Sequence, residues 1–79
     1  MDKNVIDKII LDRYNREHRN QKDIEFVRGS SLLSDDFGFD SLDVMEIIVE
    51  CEGIFKKKIP NKDIHDIFTK ENIYQLFED

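Results

Sequence analysis

The sequence contains one cysteine, one proline, three glycines and two histidines among 79 residues. A lone thiol excludes an internal disulfide, and Cys51, His18 and His65 fall at no spacing that would hold zinc. No metal site is expected, and stability must come from packing. No apolar run approaches the roughly 20 residues of a membrane span, so stable membrane insertion is not expected. The opening Met1-Asp2-Lys3-Asn4 runs directly into a helical pattern without the apolar core of an export signal. The expectation is a cytoplasmic protein, or an organellar one after processing. Strand candidates, internal repeats and low-complexity tracts are also missing.

Apolar residues make up 39% of the chain and charged ones 38%, wet for a globular protein but too patterned for a disordered one. At this length the expectation is a single domain over residues 1–79 with a modest core and no second catalytic lobe. The net charge of −6 is concentrated: residues 35–55 hold seven acids and no base, while the stretches on either side nearly balance. Such a segment repels nucleic-acid phosphates and steers basic protein patches toward itself, so protein partners are expected and nucleic acid is not.

Val5, Ile6, Ile9, Ile10 and Tyr14 recur at the spacing of one helix face, and Asp2 is a candidate N-cap, predicting a first helix over 3–17. Residues 18–40 show no sustained period and read as a long structured loop anchored by Ile24, Phe26, Val27, Leu32 and Leu33. Residues 41–55 read as the second helix, with Asp40 or Ser41 at its start and aspartates where the helix dipole favours them. Pro60 breaks the pattern. Asn61 is then a candidate cap for a short third helix over 62–67 that turns Ile64 and Ile67 inward. Thr69 caps a last helix over 70–78, with Phe68 and Ile73 placed for a hydrophobic staple and Ile73, Leu76 and Phe77 on its apolar face. The fold class is all-α: a four-helix bundle of three longer helices and one short one, with a long loop between helices 1 and 2.

At about 100° per residue, Val44, Ile47, Ile48, Cys51, Ile54 and Phe55 share one arc of the second helix. Leu42, Met45 and Val49 lie on the opposite side, bordered by Asp43, Glu46 and Glu50 on one flank and Glu52 on the other. A small bundle cannot bury both arcs. The second stripe reads as a docking surface with an apolar centre and an acidic border, or else as a stripe packed under the long loop.

Asp36-Phe37-Gly38-Phe39-Asp40-Ser41-Leu42-Asp43, followed by Val44-Met45-Glu46-Ile47, resembles the Asp-Ser-Leu signature of acyl carrier proteins. The likeness extends to Leu33 ahead of the signature, Phe55 at the end of the second helix, Ile59-Pro60-Asn61 and the segment Thr69 to Phe77. It implies that Ser41 carries a covalent 4′-phosphopantetheine arm, placed there from coenzyme A by a separate magnesium-dependent phosphopantetheinyl transferase. The chain would be a carrier and not an enzyme, with no catalytic residue of its own. It would hold acyl groups as thioesters, in fatty-acid or related lipid biosynthesis or in a specialised polyketide, aminoacyl or lipid-modifying pathway. The implied partners are the transferase and acyl-chain synthesis and transfer enzymes with basic docking patches. Asp40, Leu42, Met45, Glu46, Val49 and Glu50 form the implied recognition face of a monomer. An acidic helical adaptor that uses the scaffold without an arm is the alternative of another class.

Lys56-Lys57-Lys58 replaces the mixed or acidic turn of many members, and Gly53 weakens its helix; both alter the far end of the docking face. Cys51 shares the core arc and reads as a structural thiol. His18 and His65 read as surface residues. The acids around Asp35, Asp36, Asp40 and Asp43 lack the spacing of a calcium loop.

Overall fold

Asp2 accepts the Asn4 N–H at 2.9 Å and so starts α1, Lys3–Glu17. In the computed structural model, which describes residues 1–78, three further helices follow: α2 (Ile24–Arg28), α3 (Ser41–Phe55) and α4 (Lys70–Phe77). Asp79, the last residue of the expected domain, lies outside the described residues. The architecture is the all-α one expected, with three longer helices and one short one, and α1 packs against each of the others.

The short helix sits elsewhere than expected. Residues 62–67 do not form it; a single 3-10 turn spans Asn61–Asp63, preceded by Pro60 with no side-chain cap. Continuation is blocked where Asp66 adopts a left-handed φ of 61°, a conformation that ends a helix. The short helix lies instead inside the long loop, where Asp23 accepts the Glu25 N–H at 3.1 Å and caps α2.

Ile6, Ile9 and Ile10 of α1, Val27 of α2, Val44, Ile47, Ile48 and Cys51 of α3, and Ile73, Tyr74 and Phe77 of α4 make the core with Leu33, Phe37, Phe39 and Ile59. Two polar ties cross it. The Tyr74 hydroxyl donates to buried Asp7, joining α4 to α1; burial, reinforced by that bond, pushes the phenol well above its ordinary value. Buried Lys70 Nζ donates to the carbonyls of Val27 at 2.6 Å and Arg28 at 3.0 Å, satisfying the C-terminal end of α2 with a cation.

The segment between α2 and α3 is ordered by its own bonds. Asp36 accepts the N–H groups of Ser31 and Leu32, which hold its carboxyl below the ordinary value. Leu33 N–H reaches the Phe68 carbonyl at 2.9 Å, and Lys70 N–H reaches the Ser31 carbonyl at 3.0 Å, tying the segment to the start of α4. Phe37 fills the space beneath, 5.5 Å from both the Phe26 and Phe39 ring centres. Gly38 turns the chain at a φ of +71°, where a side chain would be strained. Of the expected anchors, Val27 and Leu33 are buried and Ile24 and Phe26 half-buried, whereas Leu32 is exposed.

Candidate functional site

Ser41 is the first residue of α3 and is exposed. The capping task belongs to its neighbours. Asp40 accepts the Asp43 N–H at 2.9 Å, Asp43 accepts the Asp40 N–H at 3.1 Å, and the two form a reciprocal capping box. The Asp40 carbonyl takes the Val44 N–H at 3.1 Å. Among the described residues no hydrogen bond claims the N–H groups of Ser41 and Leu42, so two donors at the positive end of a 15-residue helix stand beside the hydroxyl.

A cavity of about 660 Å³ opens next to Ser41. Leu33 and Phe39 line it from the loop, Val44 and Met45 from α3, and Ile64, Ile67 and Phe68 from the irregular segment before α4, with Asn61, His65 and Asp66 also on its wall. Ile64 and Ile67 do turn inward, half-buried, although no helix carries them. Phe68, expected in a staple with Ile73, is 65% exposed and borders the cavity instead.

The two arcs of α3 separate as expected. Val44, Ile47, Ile48 and Cys51 are buried and Phe55 half-buried, while Leu42, Met45 and Val49 are all exposed, so the stripe does not pack under the loop. Ile54 departs from the expectation: it sits at the edge of the core arc and is exposed, while Phe55 beside it is half-buried with its ring centre 5.4 Å from that of Phe77. Burial, with a contribution from the Glu50 charge, pushes the Cys51 thiol up to about 12, which makes it inert at neutral pH. His65 is exposed, whereas His18 is half-buried, stacked on Tyr14 with ring centres 3.9 Å apart and its Nδ1 2.8 Å from the Tyr14 carbonyl.

Arg13 of α1 reaches across to α3 and was not among the residues singled out by sequence. Its Nη1 donates to Asp43 at 3.2 Å and its Nη2 to Glu46, with Glu17 at 3.6 Å. Partial burial works to raise the Asp43 carboxyl, but bonds with Glu17, the Asp40 backbone and Arg13 outweigh it and hold the group below its ordinary value. Glu17 moves the other way, raised first by its bond to Asp43 and then by burial. The sequence did carry a signal: Arg13 falls at helical spacing from Ile6, Ile9 and Ile10, where an apolar residue would be expected.

Residues 23–77 match the family model described as a phosphopantetheine attachment site. The chain belongs to that family. Its relatives include proteins named acyl carrier protein from Chlorobium phaeobacteroides, 44% identical over 54% of this chain and 55% of that one, and Syntrophobacter fumaroxidans, 36% identical over 66% and 64%. An acyl carrier protein from Campylobacter jejuni is 32% identical over 71% of this chain and 73% of its own. The matched part spans about half the length of the Chlorobium relatives. No solved structure gives a significant match. Membership of the attachment family agrees with the resemblance carried by Asp40-Ser41-Leu42, and no helix among the described residues is long and apolar enough to cross a membrane.

Proposed function

We propose that residues 1–79 form one carrier domain whose Ser41 bears 4′-phosphopantetheine, and that the protein presents acyl groups to successive enzymes of fatty-acid or related lipid synthesis. The observation that carries this reading is the freedom of Ser41: an exposed hydroxyl at a helix start whose cap is made by Asp40 and Asp43, at the mouth of an apolar cavity. A serine kept only as a cap would occupy position 40 and accept the Asp43 N–H itself.

The local chemistry fits the group. Ser41 Oγ loses its proton and forms the ester bond to phosphorus as the nucleotide half of coenzyme A leaves, in a reaction run by a separate transferase with magnesium. The backbone N–H groups of Ser41 and Leu42 and the positive end of α3 favour the phosphodiester charge so created. When bound, phosphopantetheine supplies a flexible arm whose terminal thiol holds the acyl group as a thioester. Leu33, Phe39, Val44, Ile64 and Ile67 offer an apolar wall beside its root. Leu42, Met45 and Val49, with Asp40 and Glu50 beside them and Glu46 at the edge paired with Arg13, form the docking face for the transferase and for acyl-processing enzymes with basic patches. The domain works as a cytoplasmic monomer.

Incubation with coenzyme A, magnesium and a broad-specificity phosphopantetheinyl transferase, followed by intact-mass measurement, adds one phosphopantetheine to the native chain and none to Ser41→Ala. No addition to the native chain, or equal addition to the variant, overturns the proposal.

A further inference from the structure

The acids of residues 35–55 are not equivalent to an incoming base. Glu52 accepts the Ile59 N–H at 2.7 Å, and Asp36 accepts the N–H groups of Ser31 and Leu32 at 3.0 and 2.9 Å. Asp40 and Asp43 close the cap of α3. Asp43 and Glu46 are also held by Arg13, whose side chain is only 12% exposed. A guanidinium so enclosed is fixed by its surroundings, and its planar fork of donors matches two carboxylates at once. Glu50, one turn further along, makes no ion pair or side-chain hydrogen bond among the described residues.

The geometry points to Arg13 as the residue that sets which acids of α3 a partner can use. It withdraws Asp43 and Glu46, leaving Glu50 with Leu42, Met45 and Val49 as the available contact. Beside them runs a shallow groove of about 340 Å³ lined by Arg13, Arg16, Met45, Glu46, Val49 and Glu50. A basic side chain aimed at Glu46 therefore finds a carboxylate already paired with Arg13 and gains less there than at unpaired Glu50. The complementary partner carries one base opposite Glu50 and an apolar side chain for the Met45–Val49 groove, and has no row of bases along the whole helix. This inference rests on the reading of α3 as the docking face.

The test is the KM for this chain in transferase-catalysed modification of Ser41 at low salt. In the native background Glu50→Gln raises KM by about two- to fivefold, while Glu46→Gln changes it by less than about twofold. Arg13→Met lowers KM by about two- to fivefold with kcat unchanged, and adding Glu46→Gln to that variant cancels the gain. A native-background Glu46→Gln that raises KM as much as Glu50→Gln overturns the role of Arg13 while leaving the docking face intact, and that variant needs no change in the core. If Glu50→Gln is also silent, the docking reading itself falls.

Discussion

The two flanks of α3 beside Ser41 are built from different materials. Toward α1 the seam is closed by charge, with Arg13 joined to Asp43 and Glu46 between two 15-residue helices. Toward α4 the wall is apolar and irregular, made by residues 33–39 and 61–68 around an open cavity. The helix pair also shares the buried core, whereas on the other side residues 65–67 donate no backbone hydrogen bond among the described residues and yield at lower cost than the bonded segment 33–39. One flank thus packs the start of α3 against α1, and the other has room to adapt to the group proposed to be attached at Ser41.

The largest break in this contrast comes from Phe37, the bulkiest fully buried side chain of the loop. Phe37→Ala empties the space under residues 33–39, the bonded part of the apolar flank, and lowers unfolding free energy by about 3–5 kcal/mol in urea titration. Arg13→Met on the charged flank costs no more than about 1 kcal/mol, since Glu46 is half in solvent and the buried Nε, which has no partner, is relieved of its desolvation. Equal losses from the two substitutions would abolish the distinction.

Acid sharpens it further. The Asp36 carboxyl is held below its ordinary value of 3.8 in the folded chain, so its contribution is complete above about pH 4 and disappears as pH falls through the folded value. Thermal melts of native chain and Asp36→Ala should therefore differ at pH 6 and converge toward pH 2. The smallest effect lies far from both flanks. A Cβ at Gly53 would meet no atom within 4 Å, and Gly53→Ala raises stability by up to about 1 kcal/mol through helix propensity, with no change in the modification of Ser41.

Helices α1, α3 and α4 were legible because each carries several turns of 3.6-residue periodicity and a side-chain cap at Asp2, Asp40 or Thr69. Helix α2 was not, because Ile24–Arg28 is shorter than two turns and its Asp23 cap reads equally as a loop residue. The expected helix over 62–67 failed at Asp66, whose left-handed φ leaves no mark on an apolar pattern of Ile64 and Ile67. Leu42, Met45 and Val49 were readable as a second stripe by helical arithmetic alone. The cavity and the partners of Arg13 were hidden for one shared reason: they join residues about 30 positions apart in the chain, and periodicity, which marks Arg13 as a charge on an apolar face, reports only neighbours.

Cys51 carries a practical consequence. Its thiol is fully enclosed and pushed up to about 12, so in the folded protein it contributes nothing to a colorimetric thiol count at pH 8. Any sulfhydryl that reacts before denaturant is added must then come from an attached group with a free end, and any that reacts only afterwards belongs to the chain. The polypeptide thus supplies its own blank, and the ratio of the two readings measures the fraction of molecules that carry a free arm thiol, with thioester-loaded and bare chains both reading zero.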